Sequence, residues 1–117
     1  MKKYVIKKIF YDVQKVDVMA NVDREYVLRV LGMHKNDLTR DYGLLKLGVF
    51  GSVARDEAGE KSDVDIVVET QVPDLLRMAN LREDLEDLLQ TKVDLIRYRR
   101  HMNAFLKKRI DNEAFYV

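Results

Sequence analysis

The sequence predicts an α/β sandwich, a small β-sheet covered by helices, and three observations carry that expectation. Short apolar runs with strand character alternate along the chain with longer stripes at helical spacing. A length of 117 residues holds one core and not two. A single proline and five glycines leave little irregular loop, so most of the chain is scaffold.

The elements follow in order. Residues 1–20 mix Tyr4, Val5, Ile6, Ile9, Phe10 and Tyr11 with lysines in no clean period, compatible with a strand, a short helix or an arm. The chain is therefore divided into an N-terminal arm, 1–22, and one domain, 23–117. Asp23 is a natural N-cap for a helix whose Val27, Leu31, His34 and Leu38 share a face, and Gly43 stops it. Gly32 weakens that helix without forbidding it. Leu45 to Phe50 then reads as a strand between Gly43 and Gly51, and Val64 to Val68, rich in β-branched residues, as a second. Pro73-Asp74 opens a helix with Leu75, Met78, Leu81, Leu85 and Leu88 as one apolar stripe. Val93 to Ile96 is the third strand. A last helix, about 102–114, places Met102, Phe105, Leu106, Ile110 and Ala114 on one side and its bases on the other.

Composition removes much of the available chemistry. A hydrophobic share of 47% is too high for disorder, so a packed core is expected. With no cysteine there is no disulfide, thiolate metal site or thiol nucleophile, which fits a reducing compartment. Only His34 and His101 are available for histidine chemistry, so carboxylates must carry any reaction. No apolar run approaches the roughly 20 residues that span a bilayer, and the lysines of the first eight residues break up a signal-peptide pattern, so the cytoplasm is the expected location with no membrane association. The net charge is +1, but residues 56–69 hold six acids against Lys61, whereas residues 92–109 hold seven bases against Asp94. That basic stretch, with Tyr98 and Phe105, reads as a solvated helix face in preference to a nucleic-acid surface.

Chemistry concentrates in residues 48–65 and at Asp94. Asp63-Val64-Asp65 sits at the mouth of the second strand, where residues two apart share a face and both carboxylates can reach one divalent ion or a pair. Thirteen aspartates supply about 1.4 such pairs by chance, so the pair needs its context. Gly51-Ser52 follows a strand and leads into a short helix, Val53-Ala54-Arg55, where backbone N–H groups and a hydroxyl can hold a phosphate. Asp94 lies between Val93 and Leu95 in a segment expected to be buried, where a carboxylate needs a cation, a hydrogen-bond network or solvent. A phosphate turn, two carboxylates for Mg²⁺ and a third from a neighbouring strand together suit phosphoryl or nucleotidyl transfer, with the acceptor hydroxyl attacking directly.

Gly51-Ser52, ten residues, then Asp63-Val64-Asp65 resembles the signature of the minimal nucleotidyltransferases of the polymerase-beta-like superfamily, and Lys92-Val93-Asp94-Leu95-Ile96 resembles their third-acid strand. The resemblance runs from about Arg24 to Val117 and implies a small mixed β-sheet covered by helices. It implies Ser52 contacting the triphosphate of ATP, with Gly51 and Arg55 as nucleotide-binding neighbours. It further implies Asp63 and Asp65 holding two magnesium ions, and Asp94 as third ligand and candidate base. The setting it implies is a toxin–antitoxin pair, in which such a protein acts as antitoxin to a HEPN-type ribonuclease toxin by binding it and transferring AMP to a toxin tyrosine. Where the family reads Ala-Arg-Gly-Glu this chain has Ala54-Arg55-Asp56-Glu57, which places a negative charge near the phosphates. Only residues 1–23 and 97–117 remain outside the core, too few to enclose a large acceptor. The expected acceptor is a protein that docks on the site, in a homo- or hetero-oligomer. The alternative is a non-catalytic antitoxin acting by occlusion. Three intact acids favour catalysis, since occlusion does not require clustered carboxylates that repel one another.

Overall fold

The computed structural model describes residues 22–59 and 63–117. Eight elements follow in order: α1 (Arg24–Tyr42), β1 (Leu44–Phe50), α2 (Gly51–Ala54), β2 (Val64–Thr70), α3 (Leu75–Leu89), β3 (Val93–Arg97), α4 (Ala104–Glu113) and β4 (Phe115–Tyr116). The arm expected over 1–22 lies outside the described residues apart from Val22, which packs on the main core.

The helix ends form where local chemistry places them. The Asp23 carboxylate accepts from the Tyr26 N–H, Asp74 from Arg77 and Asn103 from Leu106, so each long helix begins on a side-chain cap. Gly43 closes α1 in the left-handed conformation with φ 64°, its N–H donating to the Thr39 carbonyl.

The four strands lie in the order β3-β2-β1-β4. β1 runs antiparallel to both β2 and β4, whereas β2 and β3 are parallel and joined through α3. The sheet is therefore mixed, as the resemblance implies. Helices α1 and α3 pack on one face, where Leu47, Val49, Ile66 and Val68 meet Leu31, Leu38, Leu81 and Leu85. The Tyr26 hydroxyl donates to the Leu89 carbonyl at 3.3 Å inside this layer, and burial pushes its pKa up to about 12. On the other face, among the described residues, α4 with Tyr98 and Met102 ahead of it closes a smaller core of Phe50, Val67 and Ile110.

Two expectations are corrected. Leu75 belongs to no buried stripe: it is 90% exposed in the first turn of α3, and the buried face begins at Leu81. Phe105 is 75% exposed, because α4 starts at Ala104 and only Ile110 of that helix is fully enclosed. Of the surroundings open to the Asp94 carboxylate, solvent is the one observed: it is exposed on β3, an edge strand among the described residues. The strand β4 adds a fourth member to the sheet, and Gly48 admits it. A β-carbon at Gly48 would come within 2.7 Å of the Phe115 carbonyl oxygen. Among the described residues no helix is long and apolar enough to cross a membrane.

Candidate active site

The acids are brought together by strand register. Asp65 is the second residue of β2, and in the parallel pairing with β3 it stands directly opposite Asp94. Paired residues on adjacent strands project from the same face, so the two carboxylates lie side by side. Across the antiparallel pairing with β1, the residue opposite Asp65 is Phe50. One face thus carries a row, Phe50–Asp65–Asp94, and this is the face that α4 covers only in part. Asp63 precedes β2 by one residue and is exposed.

Gly51 completes the row from the side. It follows Phe50 directly and has φ +75°, a conformation that a β-carbon disfavours. A β-carbon there would also lie 2.9 Å from Asp65 Cγ, in contact with the carboxylate itself. The glycine read from sequence as access for a phosphate is thus also clearance for the carboxylate of β2. Ser52 is the next residue, half-buried in the first turn of α2, so the phosphate turn and the acids form one locus.

Electrostatics mark Asp65 within the row. Burial raises the pKa of its carboxyl, and the neighbouring Asp94 and Asp63 charges raise it further, while Arg109 and Arg55 oppose the rise. Among the described residues no group of three acids or histidines is closed tightly enough to hold a metal as it stands. Full convergence of Asp63, Asp65 and Asp94 was expected, but the pairing of Asp65 with Asp94 is what the structure shows. Like charges at an exposed strand edge have no reason to close further without a cation between them. The donor set still fits magnesium, which takes a few carboxylate oxygens and completes its shell with water and substrate phosphates.

Two neighbours of the turn are paired with side chains of other elements. Asp56, in the left-handed region at φ 57°, does not face the phosphate turn as a bare charge. Its carboxylate pairs with Arg24 at 3.3 Å, and Arg24 also donates to the Ala54 carbonyl at 2.9 Å. An aspartate in place of glycine is tolerated there because Asp adopts this conformation more readily than most residues. Arg55 points to α4, donating to Glu113 at 2.8 Å and to Glu57 at 3.3 Å. Sequence reading does not single out Arg109, whose guanidinium lies 5.9 Å from the centroid of the Phe50 ring. The local signal is its place next to Ile110, the buried residue of α4, although its side chain stays partly open to solvent.

This geometry has known counterparts. Residues 31–117 match the family model described as a nucleotidyltransferase domain. The chain belongs to that family. The nucleotidyltransferase domain is 39% identical over 100 residues to the protein adenylyltransferase MntA of Thermococcus cleftensis, spanning 85% of this chain and 100% of the relative. Its fold superposes on a solved minimal nucleotidyltransferase with a TM-score of 0.66 at 35% identity, covering 81% of this chain and 96% of the other. The fold also recurs, at 22% identity and a TM-score of 0.57, in the solved complex of tri-AMPylated Shewanella oneidensis HEPN toxin with MNT antitoxin, over 76% of this chain and 70% of that one. The nucleotidyltransferase domain accordingly takes a nucleotide as substrate, and its homologues are protein adenylyltransferases.

Proposed function

We propose that this chain is an antitoxin that transfers AMP from ATP to a tyrosine hydroxyl of a HEPN-type toxin, with Asp63, Asp65 and Asp94 at the reacting centre. The observation that carries the reading is the register that sets Asp65 beside Asp94 and against Gly51 on one open face of the sheet. The partner follows from the family resemblance and from the adenylyltransferase identity of its relatives. An acid row open to solvent suits a protein acceptor that docks.

In the reaction the acceptor oxygen forms a bond to the α-phosphorus of ATP. The bond from that phosphorus to the oxygen bridging to the β-phosphate breaks, and pyrophosphate leaves with the electron pair. Magnesium held by Asp63, Asp65 and Asp94 would supply charge neutralisation along this path. The chain's own residues do the rest. Gly51 and Ser52 orient the triphosphate, and Asp94, open to solvent at the strand edge, accepts the proton of the acceptor hydroxyl. A cysteine-free chain that uses ATP suits a reducing, ATP-containing compartment such as the cytoplasm.

The test is to combine the chain, the partner, ATP and Mg²⁺ and to weigh the intact partner by mass spectrometry. Asp63→Asn with Asp65→Asn keeps the shape of the site but removes its charge, so transfer is expected to fall by about 10²–10⁴-fold while docking survives. If wild type forms no adduct with any nucleoside triphosphate and the double variant still silences the partner in cells, occlusion is the function.

A further inference from the structure

Helix α4 presents three bases in succession, and they do not share a role. Lys107 pairs with Asp111 and faces the Tyr98 ring. Arg109 turns the other way, over Phe50, the residue that is opposite Asp65 in register and next to Gly51 in sequence. Its charge therefore lies over the side chain that joins the acid row to the phosphate turn. Arg55 reaches the same place from the far end of α2. Both guanidinium groups address a single oxygen, Glu113 Oε1, at 2.8 Å from Arg55 and 3.9 Å from Arg109. The two arginines and the glutamate are all partly accessible to solvent.

Two guanidinium forks from separate elements, converging on one carboxylate oxygen beside a phosphate turn, also suit a phosphate oxygen, because carboxylate and phosphate accept the same charge-assisted bonds from arginine. Three other cations near the sheet are engaged elsewhere: Arg24 with Asp56, Lys46 with Glu69 and Arg97 with Thr70. The acid row suits the metal and the α-phosphate but repels the phosphates beyond it, whose charge requires cations. We infer that Arg109 and Arg55 form the subsite for the β- and γ-phosphates, the leaving pyrophosphate, and that Glu113 holds the two arginines in place until the nucleotide displaces it. This inference rests on the nucleotidyl-transfer reading and adds Arg109 and Glu113 to it.

The experiment measures binding of ATP, pyrophosphate and AMP to the full chain with Mg²⁺ by calorimetry, for wild type, Arg109→Ala, Arg109→Lys and Glu113→Gln, each checked for an unchanged circular dichroism spectrum. Loss of one arginine–phosphate interaction should weaken ATP and pyrophosphate by about ten- to a hundredfold and leave AMP within about twofold. Arg109→Lys should recover part of the loss, since a point charge replaces a fork. Glu113→Gln should tighten both pyrophosphate and ATP. Equal losses for ATP and AMP in Arg109→Ala, or none, would overturn the subsite, and weaker ATP binding in Glu113→Gln would overturn the role of Glu113. Wild-type protein that labels its partner while Arg109→Ala does so with the same ATP dependence sinks this inference alone. Wild-type protein that neither binds ATP nor labels the partner sinks it together with the transfer reading.

Discussion

On one face of the sheet Leu47, Val49, Ile66 and Val68 disappear under α1 and α3, while on the other α4 covers Phe50 and Val67 and leaves Asp94 in solvent. Both faces belong to the same strands, with side chains alternating between them. The closed face is aliphatic and holds the domain together. The half-open face places carboxylates beside one another at an electrostatic cost, which a metal and a nucleotide can offset. Stability and chemistry are thus segregated by the pleat, one residue apart along β2.

That division can be broken from either side. The largest stability effect should come from the closed face: Leu85→Ala, at a fully buried position in α3, is expected to cost about 2–5 kcal/mol in chemical denaturation. Phe105→Ala on the surface of α4 should stay within about 0.5 kcal/mol. If the two costs came out equal, α4 would be as tightly integrated as α3 and the segregation would fail.

Gly51→Ala sharpens the comparison from the other side. Its β-carbon would press on the Asp65 carboxylate and force a left-handed alanine. The backbone effect should cost about 1–2 kcal/mol of stability. Displacing the carboxylate should lower transfer by about 10²-fold, since misplacements near 1 Å have effects of that size. A transfer rate that falls no further than the folded fraction would show that the clearance is purely structural.

Asp84 is the exception on the closed face. It is 2% exposed on α3 and accepts the Tyr42 hydroxyl. Burial raises its pKa, the Tyr42 hydrogen bond opposes the rise, and Asp87 and Asp41 reinforce it. A carboxyl raised in the folded state binds its proton more tightly there than in the unfolded chain. Its contribution is complete below the unfolded value, about pH 4, and is lost as pH rises through the folded one. Asp84→Asn keeps an acceptor for Tyr42 without the charge, so its stability relative to wild type should improve between pH 4 and pH 7. Denaturation midpoints at the two pH values give the answer, and a constant difference would contradict it.

The smallest effect is expected at Gly32. It lies in α1 with open space where a β-carbon would be, so Gly32→Ala should stabilise the domain by about 0.5–1 kcal/mol through helix propensity alone. A thermal melt resolves a change of this size.

The order and type of the elements from Asp23 onward were legible because caps, periodicity and turn residues act over a few neighbouring positions. Asp23 and Gly43 bound α1, and Asp74 starts α3, by interactions within one turn. The pair Asp63 and Asp65 and the turn Gly51-Ser52 were legible for the same reason, their chemistry being written in local spacing. Leu75 and Phe105 were misread because helical periodicity says which residues share a face and not how far the neighbouring layer extends. Tertiary structure alone decided that Asp94 stands opposite Asp65, that Gly51 clears the Asp65 carboxylate, that Arg24 absorbs the charge of Asp56, and that Arg109 shares Glu113 with Arg55. Each of these joins residues at least 14 positions apart in the chain, except the i,i+4 pair within α4, and depends on strand register and helix docking. Register and docking are set by burial over the whole core, a non-directional force that no short window of sequence contains.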